Sequence, residues 1–223
     1  MDHLLGWIRP RLPEGTLLVV MSDHGFESYT REMHLNAWLR DNGYLVLRDG
    51  KTTGFISGDE VDWSKTRAYG VGFNGLYLNL QGREAQGIVP PAEAEALMAE
   101  LVEKLEAFVD PQEGRKPVLR VARARDVYSE ARRDEGPDLV VGYDRGYGCS
   151  DESTLGEITE DVLRDNESRW SGNHLMAPEV VPGVLLLNRK LAKDGHDLTD
   201  LTATLLSHYG IEPVAGMTGT PIL

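Results

Sequence analysis

The sequence predicts an α/β fold: a mainly parallel sheet sandwiched by helices, with a small α/β lobe inserted into it. Three observations carry this. Residues 16–21 (Thr-Leu-Leu-Val-Val-Met) form a continuous apolar run of strand length, the pattern of a strand covered on both faces. Residues 184–187 (Val-Leu-Leu-Leu) repeat that pattern near the other end of the chain. Between and beyond them, helical segments alternate with strand candidates, as layered α/β folds require.

In order, residues 4–11 read as the tail of a helix broken near Pro10. Gly15 marks a turn before the first apolar run. Residues 34–42 have helical character and stop before Gly43, a good terminator. Residues 44–47 suggest a short strand, and 48–62 a polar loop. Residues 76–80 are another strand candidate. Pro90 and Pro91 then open the clearest helix, 92–108, rich in Ala, Glu, Leu and Met. Strands are expected at 118–124 and 139–143. The stretch 144–182 reads as a long, polar, glycine-rich connection, and such connections are usually functional. A helix at 198–209 ends at Gly210. The simplest organisation is a core from 1–47 and 144–223, with 48–143 as the inserted lobe.

Composition narrows the function. The 223 residues carry a net charge of −13, which repels nucleic-acid backbones and anionic membranes and argues against both as partners. An anionic substrate would need positive charge supplied at the site, and bound metal ions provide it. The single cysteine, Cys149, excludes an intrachain disulfide. No apolar run approaches the ~20 residues that span a bilayer, and the opening residues lack a signal-peptide pattern. Together these favour a cytoplasmic location.

Ser22-Asp-His-Gly-Phe follows the first apolar run directly, at the strand end where open α/β sheets bind ligands. Adjacent side chains on a strand point to opposite faces. Asp23 and His24 can therefore reach one ion only where the chain already turns, and Gly25 permits that turn. A carboxylate and a neutral imidazole suit zinc, and the carboxylate also suits manganese or magnesium. From residue types alone an ordinary turn with a capping aspartate is the better reading, and the apolar strand just before it makes the two readings equal. His174, in Trp170-Ser-Gly-Asn-His, sits just before the chain re-enters the core at Pro182. It can be a surface-loop histidine or a ligand from a loop that meets the first one above a sheet edge.

An ordered series of segments resembles the alkaline phosphatase superfamily, and within it the type I phosphodiesterase/nucleotide pyrophosphatase-like branch. The series comprises Ser22-Asp-His-Gly-Phe, His34-Leu-Asn-Ala-Trp-Leu with Asn42-Gly-Tyr-Leu, Leu76-Tyr-Leu-Asn-Leu-Gln-Gly-Arg-Glu, Pro137-Asp-Leu-Val-Val-Gly-Tyr, Trp170-Ser-Gly-Asn-His, Val181-Pro-Gly-Val-Leu and Gly219-Thr-Pro-Ile-Leu. The resemblance implies part of an alkaline-phosphatase-like sheet and a two-metal phosphoric-ester hydrolase acting on a small phosphate ester. Zinc is the favoured ion and manganese is also suited. Asp23 and His24 would hold the metal that carries the nucleophile, and His174 the metal that meets the phosphate. Two ions ~4 Å apart can clamp both the attacking and the leaving oxygen.

The chain departs from that pattern. The family's amino-terminal aspartate, its Thr or Ser nucleophile and its Asp-x-x-x-His pair have no counterpart before Asp23. The reading is therefore a carboxy-terminal portion, a single incomplete catalytic domain with no catalytic residue of its own and no turnover alone. Self-association through an exposed sheet edge is expected. The family pattern also favours aspartate at 173 and 177, where this chain has Asn173 and Ala177. A cofactor-independent phosphomutase and a non-catalytic degenerate module are the alternative functions. Arg83 reads as a salt-bridged turn residue. His34, His196 and His208 read as packed or solvent-exposed. Cys149 lacks a sulfatase context, and the acidic stretch 151–165 lacks EF-hand spacing.

Overall fold

The computed structural model describes residues 1–130, 132, 135–192 and 194–223. Along the chain lie α1 (Asp2–Ile8) with a 3-10 turn at Arg9–Arg11, β1 (Val19–Met21), β2 (Glu27–Met33), α2 (Leu35–Asp41), β3 (Gly54–Phe55), β4 (Ala68–Gly70) and β5 (Gly75–Leu78). There follow α3 (Pro91–Ala107), β6 (Val118–Arg123), α4 (Ala124–Val127), β7 (Leu139–Tyr143), β8 (Gly146–Cys149), α5 (Asp151–Thr154), β9 (Glu157–Ile158), β10 (Leu163–Asp165), β11 (Gly172–Asn173), β12 (Leu185–Leu187) and α6 (Leu198–His208). The chain divides into two compact units, Met1–Gly25 with Gly183–Leu223, and Phe26–Pro182.

In the first unit β1 and β12 pair antiparallel, Val20 opposite Leu186. This differs from the expected parallel sheet. Met21, Val184 and Leu186 are all exposed, so the apolar runs are not covered on both faces. The register is fixed at one end by Asn188, whose Oδ1 accepts from the Leu18 N–H and whose Nδ2 donates to the Thr16 carbonyl. Helix α6 begins with a capping box in which Asp197 and Asp200 satisfy each other's backbone. Its buried face, Asp200, Ala203 and Thr204, receives the chain's last residues: the Thr220 N–H donates to Asp200 Oδ1 at 2.7 Å and the Ile222 N–H to Thr204 Oγ1 at 3.0 Å. Gly219 is required there, because a Cβ would stand 2.1 Å from the Thr199 carbonyl oxygen.

The second unit holds the main core. Strands β4, β5, β7 and β6 form an antiparallel four-stranded sheet in that order. Helix α3 packs on it through Leu97, Leu101 and Leu105, all fully buried. Their four-residue spacing makes one stripe, and each burial contributes roughly 1.5–3 kcal/mol. The strands expected at 76–80, 118–124 and 139–143 and the helix at 92–108 all occur, within two residues at each end. Helix α2 buries Leu35, Ala37, Trp38 and Leu39, and Asn36 locks it to β4 by donating to the Gly70 carbonyl and accepting from the Gly70 N–H. The strand expected at 44–47 is reduced to a bridge between Leu47 and Val61.

Two further corrections concern β2 and the stretch after it. Strand β2 was not expected, and 144–182 is not a structureless connection: it supplies β8, α5, β9, β10 and β11. Three of these strands pair with β2, β8 in parallel and β10 and β11 antiparallel. On β2, Tyr29, Arg31 and Met33 alternate inward. The charge at Arg31 conceals that alternation in the sequence.

Arg31 is the buried member that needs an account. Its Nε donates to Asp110 Oδ2 at 2.7 Å, and its Nη1 donates to Asp165 at 2.5 Å and to Gln112 at 3.1 Å. The Tyr147 hydroxyl donates to Asp110 at 3.1 Å. Burial would raise the Asp110 carboxyl, but the Gln112 N–H, the guanidinium and the Tyr147 hydroxyl together hold it below the ordinary carboxylate range. Removing one partner of a buried pair leaves an uncompensated charge, at roughly 3–5 kcal/mol. Arg31→Met or Asp110→Asn should therefore lower the melting temperature by about 10 °C, read by circular dichroism. Because the folded Asp110 pKa is depressed, its stabilisation is full above the unfolded carboxylate value and is lost as pH falls through the lower folded one. Asp110→Asn should flatten that acid limb.

Candidate metal centre

Asp23 and His24 lie just past β1. Ser22 pins the strand exit: its N–H donates to the Val184 carbonyl at 2.9 Å, and its Oγ accepts from the Val184 N–H at 2.9 Å. The chain then bends at Asp23. Beyond the bend the two side chains face one another, with His24 Nε2 3.5 Å from Asp23 Oδ2. The Asp23 carboxylate also accepts from the His24 N–H at 3.1 Å. On the other side of the ring, Nδ1 lies 2.8 Å from the Gly25 carbonyl oxygen. A carbonyl can only accept, so the proton of a neutral ring belongs on Nδ1. Nε2 then presents its lone pair on the Asp23 side.

That arrangement fits a divalent ion on the chemistry of its donors. A metal-ligating histidine characteristically donates its other ring N–H to a backbone carbonyl or carboxylate, which fixes the tautomer and the ring orientation. A carboxylate oxygen and an imidazole lone pair 3.5 Å apart are close to the roughly 3.3 Å that separates neighbouring donors around tetrahedral zinc with bonds of about 2.0 Å. Both side chains are solvent-accessible, as an exchangeable ion requires.

His174, in the second unit, follows β11 at the edge of β2. Its turn is built by Asn173, whose Oδ1 accepts from both the His174 N–H at 2.7 Å and the Leu175 N–H at 2.9 Å. An aspartate, which the resemblance leads one to expect at 173, would accept the same two donors, so Asn173 preserves the turn. At 177, where the resemblance leads one to expect an aspartate, the chain offers no polar side chain. Ala177 is fully buried, and its Cα and Cβ sit 3.1 Å from where a Cβ on Gly142 would stand. Asn74 Nδ2 donates to the Leu175 carbonyl and Ala177 N–H to the Tyr143 carbonyl, so the segment is held to the β7 sheet. The Phe26 ring, at the end of the Ser22-Asp-His-Gly-Phe motif, lies 5.7 Å from the His174 ring. Gly172 makes room for it, since a Cβ there would meet the Phe26 ring at 2.7 Å.

The profile of the family "Type I phosphodiesterase / nucleotide pyrophosphatase" matches residues 1–173. The chain belongs to that family. The match includes Asp23 and His24 and ends one residue before His174. No curated protein and no solved structure shows a significant match. The family's chemistry is phosphoric-ester hydrolysis, it is typically metal-dependent, and it is consistent with the alkaline phosphatase superfamily.

Two other residues weighed in the sequence, Arg83 and Cys149, are structural. Arg83 is bound to Asp138 at 2.6 Å and Glu84 at 2.8 Å. Cys149 is a buried thiol whose pKa burial raises, making it a poor nucleophile. His34 is different. It is fully buried, and neither ring nitrogen has a hydrogen-bond partner. No helix is long and apolar enough to cross a membrane among the described residues.

Asn173→Ala should release the His174 turn by removing the acceptor of two N–H groups, at about 1 kcal/mol or more of local stability. Faster amide exchange at His174 and Leu175 would report it. Asn173→Asp should keep their protection.

Proposed function

We propose that this chain is the metal-binding portion of a phosphoric-ester hydrolase of the phosphodiesterase/nucleotide pyrophosphatase type. Asp23 and His24 are ligands of one divalent ion, and His174 is a ligand of a second. Zinc suits the imidazole-rich donor set best, and manganese is also suited. The observation that carries the reading is the Asp23–His24 pair itself: in a member of this family, two donors of the right chemistry face each other just beyond a strand, with the imidazole tautomer set by the Gly25 carbonyl.

The ions, when bound, supply positive charge for a phosphate and lower the pKa of an attacking hydroxyl. This chain's own contribution is to orient donors. The Gly25 carbonyl aims the His24 ring, Ser22 holds the strand exit, and Asn173 holds the turn that presents His174. The sequence contains no Asp-x-x-x-His, and the nucleophile is supplied from outside these residues. The substrate is a small phosphate ester. The net charge of −13 disfavours nucleic-acid polymers and membrane surfaces.

The isolated 223-residue chain should bind zinc and yet hydrolyse bis(p-nitrophenyl) phosphate no faster than buffer containing Zn²⁺ or Mn²⁺. His24→Ala should weaken zinc binding on the order of 100-fold, read by competition with a chromophoric chelator. Robust turnover abolished by His174→Ala would overturn the proposal that the nucleophile is external. Unchanged zinc affinity in His24→Ala would overturn the ligand assignment. Exposed Met21, Val184 and Leu186 on the β1–β12 pair favour self-association. Light scattering should give a concentration-dependent mass that falls toward the monomer in Val184→Lys/Leu186→Lys.

A further inference from the structure

A second group of metal-ligating side chains lies in the second unit and uses none of the three residues above. Glu32, His34 and Glu152 each place a ligand atom within 4.8 Å of the others. The fold brings them together for identifiable reasons. Glu32 is next to last on β2, and His34 is the N-cap of α2 immediately after it. The Ser150 N–H donates to the Met33 carbonyl at 3.2 Å, tying the start of α5 to the end of β2. The Ser150 side chain caps α5 by accepting from the Ser153 N–H, and Glu152 is carried on that turn. The His34 N–H donates to the Val162 carbonyl at 2.8 Å, which fixes the backbone from which the ring projects.

As it stands, this cluster is electrostatically unsatisfied in two ways. Two carboxylates, Glu32 and Glu152, share a small volume. Beside them is an imidazole with no exposed surface and no partner for either Nδ1 or Nε2. One of its ring nitrogens is the ligand atom that faces the two carboxylates. A buried polar group without a partner is costly, and the great majority have one. Arg164 lines the same cleft, but it is paired with Asp161 at 3.2 Å. A divalent cation answers both deficits, since it takes the imidazole lone pair and balances the two carboxylate charges. Access exists as well. Glu32 and Glu152 both line an open cleft of about 520 Å³, together with Arg164, Asp165, Asn166 and Ser168.

We infer that Glu32, His34 and Glu152 form a binding site for a divalent transition-metal cation of the zinc class. The imidazole donor selects against magnesium and calcium, which prefer all-oxygen sets. Three protein donors leave a coordination position for water from the cleft. A cation there also ties the β2–α2 junction to α5, two points separated by over a hundred residues in the chain.

The test counts zinc. The metal-stripped full chain is dialysed against Zn²⁺, and the bound ions are measured by mass spectrometry. The same is done for the triple variant Asp23→Ala/His24→Ala/His174→Ala, and for that variant carrying Glu152→Gln or Glu32→Gln. The triple variant should retain one zinc per chain, and either glutamine substitution should weaken that ion on the order of 100-fold. Both substitutions keep the side-chain shape, and thermal melting in EDTA should match the parent, so a loss of zinc is not a loss of fold. A triple variant that binds no zinc, or one whose zinc is indifferent to both Glu152→Gln and Glu32→Gln, overturns the inference. Equal zinc content in the wild type and the triple variant would instead count against the Asp23–His24–His174 assignment.

Discussion

The Arg31 guanidinium is buried in the second unit, where a full charge survives only because Asp110, Asp165 and Gln112 surround it. Much of that unit hangs on this arrangement. Arg31 lies at the middle of β2, the strand that β8, β10 and β11 all join. Asp165 ends β10, and Asp110 and Gln112 lie together beyond α3, so one side chain fastens two parts of the chain to the central strand. The turn presenting His174 follows β11, and Glu32 and His34 follow Arg31 directly. Each metal-ligand candidate of this unit is thus within a few residues of a strand that the buried ion pair positions.

Functional and structural demands are divided between side chains in a consistent way. Some groups that define position are buried and bonded, such as Asn36 across the Gly70 backbone and Asp200 beneath the last residues of the chain, while Ser22, Asn173 and Asn188 do so nearer the surface. Groups that offer donor atoms are left at strand ends. Asp23 and His24 follow β1, His174 follows β11, and Glu32 and His34 straddle the end of β2. At a strand end the alternation of side chains lapses, and neighbours in sequence can turn toward one point. Glycine supports this at Gly172, where any side chain would displace the Phe26 ring from beside His174.

Much of this was legible in the sequence, and the exceptions have physical causes. Helix α3 announced itself through Pro90 and Pro91 and its leucine stripe, and β7 through the run Leu139 to Tyr143. Asp23 and His24 stand out because an apolar run precedes them, and the chain bends at Asp23. Strand β2 was hidden because its inward positions include Arg31, whose burial depends on Asp110, 79 residues away. Residues 144–182 read as loop because their strands are only two to four residues long and gain stability from pairing with β2. The parallel sheet expected around 16–21 is instead an antiparallel pair with β12, since a short apolar run specifies strand but not the direction of its partner. His34 reads from the sequence only as packed or solvent-exposed, because nothing local distinguishes a histidine at a helix start. Its significance comes from Glu152, which a strand pairing brings to it.

Anomalous diffraction at the zinc edge, from crystals of the chain equilibrated with Zn²⁺, tests the central claim most directly. The account predicts a peak at about 2.0–2.2 Å from both His24 Nε2 and a carboxylate oxygen of Asp23, with the Nδ1 contact to the Gly25 carbonyl retained. Zinc bound elsewhere in the molecule, with the Asp23 and His24 side chains turned away from each other and no peak between them, would contradict it.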